Sequence, residues 1–68
     1  MNTLKEVREK HGISQEKLAQ KIGVSHMTIY RAERDNKIKL EYARLIAQEL
    51  NLNPEIMAEI WGNYEPTS

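Results

Sequence analysis

The stretch GVSHMTIYRAE, Gly23 to Glu33, holds the side chains best equipped for chemistry in this chain. Placed at about 100° per residue, Met27, Tyr30 and Arg31, with the following Arg34, share one side of a helix, and His26 stands at its N-terminal edge. A forked guanidinium such as that of Arg31 can donate two hydrogen bonds to guanine O6 and N7, a pair worth about 1–3 kcal/mol of discrimination. Methionine or a tyrosine ring packs on a thymine methyl, and an imidazole donates or accepts at a base edge. Gln15, with the free amides of the helix it opens, suits a phosphate oxygen. This is the chemistry of reading a groove. Bond-making chemistry lacks its parts: there is no cysteine, no phosphate-cradling glycine loop and no activated serine. Two histidines, His11 and His26, do not make a catalytic zinc site. No catalytic residue, no metal and no cofactor is expected, and the chain is not read as an enzyme.

The elements that must hold this face follow from caps and periodicity. Thr3-x-x-Glu6 is a capping box that opens a helix with Leu4, Val7 and His11 along one side, and Gly12 suits its left-handed end. Ser14 caps a second helix with Leu18, Ala19 and Ile22 apolar, ended by Gly23. Ser25 caps a third that runs to about Arg34, with Ser25, Thr28, Ile29 and Ala32 on its dry side. Asp35-Asn36 is turn chemistry. A fourth helix turns Leu40, Ala43, Ile46, Ala47 and Leu50 inward, and its start has no Ser, Thr or Asp cap. Asn53-Pro54-Glu55 opens a fifth, which Gly62 ends. The expected fold is all-α, five helices in one compact domain over residues 1–62, with a flexible tail over 63–68.

Between Ser14 and Glu33 the pattern becomes specific. Gly23-Val24-Ser25 is too short a joint for an antiparallel pair with ordinary side chains at the corner. Ala19 is small enough for close approach, Gly23 permits a positive φ at the bend, and Val24 and Ile29 plug the angle. These are the requirements of a helix-turn-helix.

A chain of 68 residues with Lys+Arg 10 and Asp+Glu 10 has no net charge, which argues mildly against a polyanionic partner. The total conceals a partition. Residues 1–39 carry nine Lys or Arg against five Asp or Glu, a net of +4, and residues 40–68 carry the opposite −4. Charges beyond about 8 Å are largely screened at physiological salt, so the basic half can meet a polyanion on its own terms. The charged N-terminus MNTLKEVREK is no signal peptide and nothing reads as a membrane span, so a cytoplasmic protein is expected.

ISQEKLAQKIGVSHMTIYRAERDNK resembles the helix-turn-helix of phage repressor and Cro proteins and of bacterial xenobiotic-response-element regulators. The likeness runs from Leu4 to about Met57. It centres on Ser14-Gln15-x-x-Leu18-Ala19, Ile22-Gly23-Val24-Ser25, Thr28-Ile29 and Glu33, with Leu40-Glu41 and Ile46-Ala47-x-x-Leu50 behind. The resemblance implies a lambda-repressor-like fold of five helices, the third in the major groove, and homodimers on palindromic double-stranded DNA operators. It puts His26, Met27 and Arg31 at base edges, with Tyr30 on the same face. It puts Gln15 at a phosphate or an outer base and Thr28 at the backbone. Arg34, Lys37 and Lys39 extend the basic edge toward phosphates. It also implies a salt bridge from Arg8 to Glu33 that ties the first helix to the third. Relatives often carry glycine where Asp35 stands and Pro-Ser where Ile38-Lys39 stands, so the turn into the fourth helix is expected to differ.

Ile56, Met57, Ile60 and Trp61 make a stripe wider than one core-facing row needs; part of it closes the core, and Ile56, Ile60 and Trp61 are expected at a dimer interface. The expected function is a sequence-specific regulator of transcription, repressing by occupying a promoter. Met27 and Tyr30 are more apolar than such a face needs. The alternative is thus a protein-interaction module, an antirepressor or accessory subunit that keeps the fold without DNA.

Overall fold

The computed structural model describes residues 3–62, which form five helices: α1 (Leu4–Lys10), α2 (Gln15–Ile22), α3 (His26–Asp35), α4 (Leu40–Leu50) and α5 (Pro54–Trp61). The segment 63–68, expected as a flexible tail, lies outside the described residues. No described helix is long and apolar enough to cross a membrane.

Four of the five starts are side-chain caps. Thr3 and Glu6 close a reciprocal capping box, with Glu6 N donating to Thr3 Oγ1 at 3.2 Å and Thr3 N to Glu6 Oε1 at 2.9 Å. Ser14 accepts from Lys17 N, Ser25 from Thr28 N and Asn53 from Ile56 N. The exception is α4, whose N-cap Lys39 makes no side-chain cap bond. Each helix is 7 to 11 residues long, too short to persist alone in water. Their order comes from what they bury.

That core joins Leu4 and Val7 of α1, Leu18 and Ala19 of α2, Ile29 and Ala32 of α3, Ala43, Ile46 and Leu50 of α4, and Ile60 and Trp61 of α5. Leu18 and Ile29 are fully enclosed, one on each arm of the α2–α3 corner. At the corner Gly23 adopts φ +77°, and Val24 N donates back to Ala19 O at 3.0 Å, which seals the end of α2. Ala19 is buried where α3 approaches.

Two expectations are corrected. The left-handed residue that ends α3 is Asn36, at φ 56°, and Asp35 still belongs to the helix. Asparagine tolerates this conformation better than most other residues with a Cβ. The second correction concerns α5. Ile60 and Trp61 are 1% and 5% exposed, enclosed by the domain's own core, and do not form a surface seam. Ile56 is partly buried against the same core. A domain this small uses the full width of the α5 stripe to close itself, with the indole filling the end of the core.

A Cβ added at Gly23 would meet no atom within 4 Å, so only the backbone opposes substitution. Gly23→Ala should cost about 1–2 kcal/mol and lower Tm by roughly 5–15 °C in a circular-dichroism melt. Asn36→Gly, which keeps an accepted left-handed residue, should leave the melt nearly unchanged.

Candidate nucleic-acid interface

The interface is built outward from a buried ion pair. Arg8 of α1 donates from Nε to Glu33 Oε2 at 2.6 Å and from Nη2 to Glu33 Oε1 at 3.3 Å. Its Nη1 donates to the Ile13 carbonyl at 2.8 Å. Both charged side chains are over nine-tenths buried, so each neutralises the other where water cannot. One side chain thereby fixes α1, the α1–α2 joint and α3 together.

The pair extends to the surface. Gln15, the first residue of α2, donates from Nε2 to Glu33 Oε1 at 2.8 Å. Its Oε1 lies 2.9 Å from Nε2 of His26, the first residue of α3. Arg8, Glu33, Gln15 and His26 therefore form one continuous hydrogen-bonded row from the core to the exposed start of α3. Gln15 was expected at a phosphate or an outer base and His26 at a base edge, and the structure joins the two side chains directly. His11 stands apart from this row, with Nδ1 donating to the Val7 carbonyl at the end of α1.

Beyond His26 the outer side of α3 is open. Met27 and Tyr30 are 47% and 44% exposed, two of the few large apolar side chains left outside. Arg31 is exposed, and among the described residues its guanidinium has no hydrogen-bond or ion-pair partner. Arg34 is engaged: it donates from Nε and Nη2 to the Asp35 carboxylate at 2.9 and 3.0 Å and lies 5.9 Å over the Tyr30 ring. The hydrogen bond from Arg34, and then the charges of Arg34, Lys37 and Arg31, hold the Asp35 carboxyl below the usual carboxylate range. Asp35 is thus a fixed negative charge within a basic edge, and its exposed pair with Arg34 is weak enough to exchange for a phosphate.

A shallow cleft of about 300 Å³ follows where α3 gives way to α4. Thr28, Arg31, Asp35, Lys37, Lys39 and Tyr42 line it over a floor of Ala32 and Ile38. Lys39 Nζ sits 5.8 Å over the Tyr42 ring, which holds this lysine at the cleft edge. The Thr28 hydroxyl is 3.1 Å from Ser25 Oγ at the helix cap. Tyr42 was not singled out from the sequence, although its spacing of three from Lys39 on a helix start was available as a clue. The Gln15–His26 contact had no local clue, since eleven positions separate the two residues.

A model of the helix-turn-helix family matches residues 4–57, which takes in all of α1 to α4 and the start of α5. The chain belongs to the Cro/C1-type helix-turn-helix family. No curated protein and no solved structure matches it significantly. Members of this helix-turn-helix family are DNA-binding regulators of transcription, generally without enzymatic activity.

Removing one member of the Arg8–Glu33 pair strands the other charge in the core. Arg8→Met should destabilise the domain by about 3–5 kcal/mol in urea titrations. The double variant Arg8→Met/Glu33→Leu should recover much of that loss, because no buried charge remains.

Proposed function

We propose that this protein is a sequence-specific regulator that inserts α3 into the major groove of a palindromic operator as a homodimer and represses by occupying a promoter in the cytoplasm. The observation that carries the reading is the exposed guanidinium of Arg31, unpartnered among the described residues, on a helix whose opposite side is locked into the core. Arg31 takes guanine, Met27 and Tyr30 pack on thymine methyls, and His26 meets a base edge. Phosphates fall to Lys37 and Lys39 along the cleft, with Thr28 beside them, and to Arg34 near the end of α3. Gln15 has given one amide hydrogen to Glu33, and its second remains for a phosphate. Two copies place their recognition helices about 34 Å apart, one turn of B-DNA. Because Ile60 and Trp61 are enclosed, the dimer contact must use other surface.

A protein-interaction module is the second reading, favoured by the exposure of Met27 and Tyr30. A random-site selection separates the two. DNA reading predicts recovery of inverted half-sites and an affinity that falls with salt. Arg31→Ala should cost about tenfold to a hundredfold at its preferred site and relax the preference at one position. Lys37→Ala should weaken all sequences alike and reduce the salt slope by about 1. No binding at low salt across the library would sink the DNA reading.

Asp35 supplies a further check. Asp35→Asn removes a negative charge from the basic edge and releases Arg34, so fluorescence anisotropy should record tighter DNA binding, by roughly threefold, with a steeper salt dependence.

A further inference from the structure

We infer that Glu33, acting through Gln15, fixes the hydrogen-bonding polarity of His26 and makes this ring select amino bases over keto bases. The inference rests on the DNA reading above and deepens it.

The row has only one consistent arrangement of protons. Glu33, ionised and paired with Arg8, can only accept, so the Gln15 amide must turn its NH2 group toward Glu33 Oε1. The reverse orientation would press the amide oxygen against a carboxylate oxygen at 2.8 Å. With the amide so oriented, the atom facing His26 is Gln15 Oε1, again an acceptor. His26 Nε2 must therefore carry the hydrogen, and in the neutral ring Nδ1 is left as an acceptor. Among the described residues Nδ1 has no hydrogen-bond partner, and the ring is exposed.

An acceptor at the start of α3 can take a hydrogen from adenine N6 or cytosine N4 in the major groove. It is repelled by guanine O6 or thymine O4 at the same place. A buried charge pair thus sets, over two hydrogen bonds, which class of base the surface prefers. Glu33 and Gln15 are positioning residues, and His26 is the contact.

Two measurements test this. Long-range nitrogen–proton correlation spectra of the DNA-free protein, at about pH 8.5 where a free imidazole is neutral, report the tautomer directly. The Nε2–H form should dominate for His26, and Gln15→Leu should shift the ring toward the mixture seen in peptides. The wild-type spectrum alone decides the tautomer if the variant does not fold, and an Nδ1–H form there would overturn the inference. Random-site selection then compares wild type with Gln15→Leu at the position whose preference vanishes in His26→Ala. Wild type should favour adenine or cytosine on the contacted strand by about fivefold, the scale of one hydrogen bond, and Gln15→Leu should erase most of that ratio. A keto preference, or a preference unmoved by Gln15→Leu, would overturn the relay even in a protein that binds DNA well. Absence of any selected site would overturn the DNA reading and the base preference with it, leaving only the tautomer assignment.

Discussion

The rest of this structure depends on one ion pair that water cannot reach. Arg8 and Glu33 sit 25 positions apart in the chain, and bringing them together places α1 across α3 and clamps the α1–α2 joint through the Ile13 carbonyl. Neither charge is tolerable in the core without the other. Apolar contacts among Leu4, Leu18, Ile29 and Ile46 supply most of the driving force for collapse, but they are non-directional. Directionality comes from the pair, which admits one rotation of α3 about its own axis. Since Glu33 faces inward on that rotation, Arg31, about 160° around the helix from it, must face outward.

The same pair organises polar groups at a distance. Gln15 is the first residue of α2 and His26 the first of α3, so the two helix starts meet where Glu33 can reach. The basic edge beyond is a balance of charges. Arg34 is held by Asp35 and Tyr30, Lys39 by Tyr42, while among the described residues Arg31 and Lys37 stand open. Positive potential along α3 is thus graded, and it survives zero net charge because nine of the ten Lys and Arg lie within residues 1–39, while the acidic residues divide evenly between the two halves.

Features set by neighbours in the chain were legible in the sequence. Thr3, Ser14, Ser25 and Asn53 cap helices because a cap needs only its own side chain and an amide two or three residues on. Gly23 marks the corner because few other residues accept its φ. The Arg8–Glu33 pair came from the family resemblance and from no local pattern. What stayed hidden depends on three dimensions. The stripe on α5 shows apolar residues on two rows, and its width alone does not say whether a second copy or the domain's own core covers them. Burial of Ile60 and Trp61 follows from how little other material closes so small a core. Asn36 was read with Asp35 as one turn, since either residue tolerates the left-handed region. Whether Gln15 faces DNA, His26 or Glu33 is decided by side-chain geometry that no spacing rule contains.

The shortness of α3 has a consequence of its own. Ten residues do not hold a helix in water without a partner surface, so the proposed reading face exists only while Ile29 and Ala32 are enclosed. The reader cannot survive as a fragment or in a partly melted domain. Recognition and folding are therefore a single cooperative unit, and whatever shifts the folding balance of so small a core also changes how many copies are competent to bind.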